Sequence, residues 1–263
     1  SMSFIRHVAA NVDKNENIVI SPYSAGVALS MLAEGAEGQT KEEFNKALND
    51  CLFKAEDLGG NDTVIVNSVN SLWVDDHFSI RNRYLFLLDK DYDALATTLN
   101  FSDPATVQAI NNWCSEHTNG KIKDIIDRLG AGDVMVLANA LYFNAPWLNP
   151  FDSNLTTKAD FNGSKGQTKV DMMTRKAYMN YAEFQGCQMI ELPYLGSSYS
   201  MFVVLPPEGM KIDSVLPYVN ENVYKQAMGM LAPAQVKFRM PKVKMETEML
   251  LNDVLMGMGV RTA

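Results

Sequence analysis

The side chains in this chain that could do chemistry are few, and their spacing does not suit catalysis. Its three histidines, His7, His77 and His117, lie far apart, and no HExxH pair or second metal-ligating group accompanies them. Ser21 and Ser24 stand outside any GxSxG elbow, so neither is presented as an activated nucleophile. Asp75-Asp76-His77 has the residue types of an acid–base or metal cluster, but neighbours on a strand point to opposite faces. A solvated turn at a strand end is the expectation there. Gly35 to Lys41 (GAEGQTK) lacks the Gly-Lys-Ser/Thr order of a phosphate loop and follows a helical pattern instead of a strand. Cys51, Cys114 and Cys187 have no CxxC spacing, leaving either one bridge with a free thiol or three structural thiols. These side chains point away from an enzyme, and none of them calls for a metal or a cofactor.

What remains is polar chemistry in apolar surroundings. Ser21 and Ser24 lie where Ile18-Val19-Ile20, read as a buried strand, meets a helix, with Ser21 at the N-cap and Pro22 in the first helical turn. Val27, Ala28, Met31 and Leu32 repeat at helical spacing, and Gly35 and Gly38 close the helix. Far along the chain, Asn139 interrupts Val134–Phe143 (VMVLANALYF), a run apolar on both faces as a central strand of a covered sheet would be. An amide there must be hydrogen-bonded. It is either an ordinary satisfied core group or the partner of the Ser21 and Ser24 hydroxyls.

The elements around these residues follow from periodicity and caps. Thr40–Asn49 reads as a helix with Thr40 and Glu43 spaced as a capping box. Cys51–Asp62 reads as a loop, Val64–Val74 as a strand, Ile80–Asp89 as a helix and Ala94–Phe101 as a strand. Asp103 and Pro104 open a helix with Val107, Ile110, Trp113 and Cys114 on one face, ended by Asn119-Gly120. The last third reads mostly as strands (Tyr178–Phe184, Gln188–Pro193, Tyr199–Leu205, Val236–Met240), closed by a helix capped by Thr247 that carries Leu251, Val254, Leu255 and Met258. This mixture, without regular βαβ alternation, is α+β.

Composition bounds the partners. The 263 residues contain no linker or repeat, so residues 1–263 read as a single domain. A net charge of −8 argues against a nucleic-acid partner, since phosphate binding needs a basic surface. No apolar run is long enough for membrane insertion.

The chain is identified as a member of the serpin family on motifs spread from Phe4 to Ala263. They are the Asn17–Thr40 segment, Ile110-Asn111-Asn112-Trp113 with Thr118 and Gly120-Lys121-Ile122, and Asn139-Ala140-Leu141-Tyr142-Phe143 followed by Trp147. Val170, Met172-Met173, Glu191-Leu192-Pro193-Tyr194, Leu205-Pro206 with Glu208-Gly209, and Pro241-Lys242 follow in the family's order, with Leu251, Leu255 and Met258-Gly259 in its closing helix. The resemblance implies a large central β-sheet, two further sheets and a shell of helices. It implies a monomeric protein whose partner is a target serine protease (a cysteine protease for some members), acting outside the cell, at its surface or in a periplasm. A cytoplasmic place is the alternative. It also implies suicide inhibition: a loop offered as substrate is cleaved, the acyl-enzyme forms on the protease's own nucleophile, and the loop inserts as a new sheet strand. A non-inhibitory carrier, chaperone or storage role is the other reading.

By the same resemblance, Ser21, Ser24 and Asn139 form the shutter, the polar cluster where sheet strands part. Trp147 marks the breach, where insertion begins, and Asn111 and Trp113 lie on the helix that crosses the sheet. The Cys51–Asp62 loop is shorter than the family pattern, which usually places a helix there. The family's reactive loop and remaining strands would follow Ala263, so the natural protein is expected to continue and the reactive bond to lie beyond this segment.

Overall fold

The structure is a computed structural model that describes residues 2–13, 15–48, 52–55, 58–130, 132–196, 199–216, 220–245 and 252–262. Their contacts form two compact units. One holds Ser21–Asn144 and Leu255–Ala263, the other Met2–Ile20 and Ala145–Val254.

The first unit is built on a three-stranded sheet ordered β2-β1-β3, with β1 at Ile65–Asp75, β2 at Ala94–Leu99 and β3 at Met135–Asn144. β1 runs antiparallel to β3 from Ile65↔Asn144 to Val74↔Met135 and parallel to β2 from Asn70↔Ala94 to Asp75↔Leu99. The parallel pair needs a crossover, which helix α4 (Asn82–Tyr92) supplies. α4 ends at Asp93, whose φ of 46° is left-handed and turns the chain directly into β2. The unit therefore contains one βαβ element, which the irregular order of predicted elements concealed.

Alternation along β1 sorts its side chains between two layers. Leu72 and Val74 face helix α2 (Pro22–Gly35) and α4, in a core with Val27, Met31, Leu88 and Tyr92. Trp73 faces the other way, into a cluster with Phe101 and Ile110. α2 begins as predicted: the Ser21 hydroxyl accepts from Ser24 N at 3.0 Å, and Pro22 occupies the first turn. α2 ends at Gly35, but Gly38 opens helix α3 (Gly38–Ala47) instead of closing α2. Among the described residues of 52–62 there is no helix, and this short segment is docked by Phe53 N donating to Ser30 Oγ and Ala55 N donating to Asp91 O.

The second unit contains helix α1 (Met2–Asn11) and a five-stranded sheet: β4 (Thr157–Gly163), β5 (Gly166–Phe184), β6 (Cys187–Pro193) and β7 (Ser200–Leu205) in that order, with β8 (Ala232–Pro241) also pairing β5. β5 is 19 residues long and carries two neighbours on one side, β4 along its first half and β6 along its end, while β8 runs from Met172 to Tyr181. Helix α6 (Glu221–Met230), capped by the Asn220 side chain accepting from Val223 N, buries Ala227 against Ala182 and Met189.

Several expectations are corrected. Ile18-Val19-Ile20 is not a strand and is not buried: Ile18 and Val19 are 37% and 44% exposed. β3 pairs on one edge only among the described residues, so it is not a central strand there. Thr40 and Glu43 form no capping box, because α3 starts at Gly38 after Glu37 and the pair lies inside the helix. Both reach the segment following helix α7 (Asn252–Met258) instead. The Glu43 carboxylate accepts from Arg261 N at 2.6 Å, and from Thr262 N and Thr262 Oγ1, while Thr40 Oγ1 pairs with Thr262. Thr247 and Leu251 lie outside the described residues, whereas Leu255 and Val260 pack with Leu29, Ala33 and Phe44.

The backbone N–H of Arg261, helped by the Gln39 amide and Thr262, holds the Glu43 carboxyl down to about 2. A carboxyl lowered in the folded state adds stability above its unfolded pKa and loses it as pH falls through the folded one. The Arg261 and Thr262 amides should therefore keep their exchange protection down to about pH 4.5 and lose it towards pH 2. In Glu43→Ala they should exchange fast at neutral pH, as read by hydrogen-exchange mass spectrometry or NMR.

Candidate functional site

The polar residues singled out in the sequence meet in the first unit, as a chain of donors and acceptors between α2 and the sheet. Ser24 Oγ donates to Asn139 Oδ1. Asn139 Nδ2 donates to Asn70 Oδ1 at 2.6 Å, and Asn70 Nδ2 donates to the carbonyl of Tyr92 at 2.7 Å. Asn70 and Asn139 sit directly opposite each other in the β1–β3 ladder, so their amides meet on one face of the sheet. The relay thus joins four elements: α2 through Ser24, β3 through Asn139, β1 through Asn70, and the end of α4 through Tyr92.

Ser21 is adjacent to this relay but does not enter it through Asn139. Its hydroxyl is occupied as the α2 cap, where it accepts from Ser24 N and so fixes the residue whose hydroxyl does reach Asn139. Asn70 was not singled out from sequence, although it is 2% exposed and carries both sides of the relay. Its signal was of the same kind as that of Asn139, an amide inside a strand of apolar and β-branched residues.

On the opposite face lies helix α5 (Ala105–His117), entered where Asp103 Oδ1 accepts from Ala105 N. Trp113 meets Trp73 of β1 edge-to-face, with centroids 6.0 Å apart at 80°, an arrangement worth about 0.5–1.5 kcal/mol beyond its burial. The hydrogen bonds of the Asn111 side chain run to the segment that follows the helix. Its Oδ1 accepts from Ile125 N and Ile126 N at 2.9 and 3.1 Å, and its Nδ2 donates to Ile126 O at 2.8 Å. It ties the returning segment to the helix, so Ile125, Ile126 and Leu129 join the apolar cluster of Trp73, Phe101 and Ile110. Thr118 closes the helix by donating to Cys114 O and accepting from Ile122 N. Helix and return strap therefore form one body laid over β1 and β3.

Trp147 belongs to the second unit. Residues 146–148 are stitched to residues 193–195 by Leu148 N donating to Pro193 O and Leu195 N to Pro146 O, with Trp147 stacked on Tyr194 at 4.5 Å and 12°. Met179, Ile190 and Leu192 pack beneath it. The Glu191–Tyr194 motif and Trp147 are thus a single local structure.

Asp75-Asp76-His77 is also more than a solvated turn. Asp75 is buried, and its carboxylate accepts from His77 N at 3.0 Å, His77 Nδ1 at 2.7 Å and Phe101 N at 3.0 Å. Burial alone would raise its pKa. The backbone N–H groups of His77 and Phe101, with the His77 ring, outweigh that and hold it below the ordinary range. The His77 ring is raised by its hydrogen bond to Asp75 and by the charges of Asp75 and Asp76. Asp75 Oδ2 joins the end of β1 to the chain after β2 and Oδ1 holds the turn at His77, while Asp75, Asp76 and His77 bring their ligand atoms within 4.8 Å of one another. Cys114 and Cys187 are free and buried, and burial raises the Cys114 thiol, as expected for structural thiols; Cys51 lies outside the described residues.

A sheet bridged to one helix by buried amides and crossed on its other face by a strapped helix defines a serpin-type architecture. The family profile described as Serpin (serine protease inhibitor) matches residues 1–263. The fold is similar to that of the thermophilic serpin tengpin in its native state, with a TM-score of 0.91, 26% identity and coverage of 99% of this chain and 69% of tengpin. It is also similar to a cleaved Serpin 42Da, at 0.86 and 26%, covering 98% of this chain and 74% of that one. In sequence, an uncharacterized serpin-like protein of Methanosarcina acetivorans is 34% identical over 95% of this chain. Antichymotrypsin-2 of Bombyx mori is 31% identical over 98% of this chain and 74% of its own length. This chain belongs to the serpin family, and it spans 63% of the length of the Methanosarcina relative.

Asn70→Ala and Asn139→Ala should each cost about 1–3 kcal/mol, because each strands the partner amide. The double variant should cost well below the sum, and a double-mutant cycle by urea unfolding reads that coupling. The His77 imidazole should titrate above the ordinary 6.5 and move back towards it in Asp75→Asn, as followed by NMR. Because its folded pKa is raised, its stabilisation is complete below about pH 6.5 and fades as pH rises through the folded value.

Proposed function

We propose that this chain is the body of an inhibitor that traps serine proteases by the suicide route. Its reactive loop would be cleaved, and the freed segment would add as a strand to the sheet of the first unit. The observation that carries the reading is the Ser24–Asn139–Asn70 relay beneath that sheet, in a family whose matched members include proteins named Antichymotrypsin-2 and Serine protease inhibitor 2. β1 has both edges taken, by β2 and β3. Of the two outer edges left, those of β2 and β3, the entering strand would take that of β3, next to Asn139 and the relay. A polar relay there can exchange partners during opening without abandoning a donor in an apolar layer. The helix α5 and its strap would have to lift from Trp73 and Val136 for the sheet to rearrange.

The reading needs no nucleophile or base from this chain, because the covalent step uses the protease's own hydroxyl. Trapping depends on a fold held short of its most stable state, a kinetic property. The partner would be a serine protease met outside the cell or at its surface. Among the described residues no helix is long and apolar enough to cross a membrane.

The complete protein, mixed with trypsin-, chymotrypsin- and elastase-like proteases and a papain-like one, should give a complex that survives a denaturing gel. Mass spectrometry of the complex locates the cleaved bond. Clean cleavage without a complex, or no cleavage, overturns the reading in favour of a carrier, chaperone or storage role. Asn139→Ala should raise the amount of latent or polymeric material on native gels. Unchanged inhibition stoichiometry together with an unchanged unfolding rate would remove the relay from the opening step.

A further inference from the structure

The first unit carries a cavity of about 390 Å³ that the relay and the sheet do not use. It is lined by Leu58, by the β1 stretch Val66–Val69 and by Glu116 and His117 at the end of α5. Its position follows from the register. β2 joins β1 only from Asn70 onward, so the stretch before it is not covered by β2 and borders the cavity with residues of both faces. The volume is within the range of about 300–1,000 Å³ that small-molecule pockets occupy.

The lining has one electrostatic sign. Glu116 contributes a carboxylate, and no lysine or arginine lines the cavity among the described residues. The cavity sits at the C-terminal turn of α5, where the helix dipole places partial negative charge. The His117 ring is held from behind: it lies tilted against Trp113 with centroids 4.7 Å apart at 34°, and its Nδ1 lies 2.7 Å from the Trp113 carbonyl. That carbonyl can only accept, so Nδ1 carries the proton and a neutral ring keeps Nε2 as an acceptor. Leu58, Val66 and Val69 supply the apolar part. Ser68 also lines the cavity, and its hydroxyl is buried without a hydrogen-bond partner among the described residues.

We infer that this cavity is a binding site for a small organic cation with an apolar body, an aralkyl or alkyl ammonium. The ammonium would sit between Glu116 and His117 at the helix end, and the apolar body against Leu58, Val66 and Val69. The chain's net charge of −8 favours approach of such a ligand over an anion. A bound cation would bridge α5 and β1.

The test uses 2-phenylethylamine as probe and the imidazole NMR signals of the three histidines as reporters, with the His117 signal assigned by its loss in His117→Phe. Addition of the amine should shift the His117 signal saturably and leave His7 and His77 unmoved. Glu116→Gln should weaken binding about two- to fivefold, the size of one exposed ion pair. The neutral isostere 2-phenylethanol should bind no better than the amine binds to that variant. The inference is overturned by the absence of a saturable His117 shift, by equal shifts at all three histidines, by equal binding of amine and alcohol, or by unchanged affinity in Glu116→Gln. Circular dichroism confirms that each variant is folded. No protease enters the measurement, so its outcome is independent of whether the protein inhibits one.

Discussion

Two asparagine amides facing each other inside a sheet impose the constraint on which the first unit depends. A buried amide left unpaired costs about 1–3 kcal/mol, a large share of a domain's net stability. Asn70 and Asn139 satisfy each other only if β1 and β3 pair in one register, since a slip of one residue would turn one amide to the opposite face. The remaining groups of the pair then require Ser24 on one side and the Tyr92 carbonyl on the other. The seating of α2 and the point where α4 gives way to β2 are fixed by the same requirement. Apolar packing supplies most of the driving force around it, but packing alone would tolerate several registers.

The two faces of that sheet are held by different physics. Towards α2 the contact combines an apolar core with the directional relay. Towards α5 it is aromatic and aliphatic, with Trp73, Trp113, Ile110, Ile125 and Val136 packed together, the bonds of Asn111 kept to the helix and its strap, and Thr106 Oγ1 donating to the Asn100 carbonyl just past β2. A layer without directional bonds to the sheet can separate as a body without stranding donors, and its cost is the apolar surface exposed. On the proposed function this asymmetry matters, because one face would have to yield while the other keeps its register.

Much of this was legible from residues. Ser21-Pro22 announced a helix start because capping is local chemistry, and Asn139 stood out because an amide in an apolar run needs a partner; Asp103-Pro104 marked the region of a helix start, but the helix begins at Ala105 with Pro104 in the cap position and no side-chain cap. Asn70 carried a similar signal but stood in a stretch that also holds Asn67, Ser68 and Ser71, where no single polar residue interrupts a clean apolar run. Other readings failed where the deciding interaction was distant. Thr40 and Glu43 have capping-box spacing, yet their partners are Arg261 and Thr262. Ile18-Val19-Ile20 has the composition of a strand, but composition cannot supply a pairing edge. α6 was missed inside a region rich in strands, although Asn220 and the Glu221–Lys225 pair are ordinary signs of a helix start. The β4–β5 hairpin was missed because its exposed strands lack apolar alternation. Asp75 was read as part of a solvated turn because it stands at a strand end beside Asp76 and His77, and its acceptor duty to Phe101 N, 26 positions on, has no local mark.

The contact between Glu43 and Arg261 also governs the order in which the molecule can be completed as it is synthesised. The two residues are 218 positions apart, and the unit they close is interrupted in the chain by residues 145–254. On a ribosome delivering the chain from its N-terminus, the first unit's sheet and α2 emerge early, but the segment Leu255–Thr262 that packs against α2 and α3 arrives only after residues 145–254 have emerged. For that interval Leu29, Ala33 and Phe44 wait beside an unfilled place. The nascent protein is most exposed to misassociation then, and a holdase that recognises apolar helix faces would find its substrate at α2 and α3.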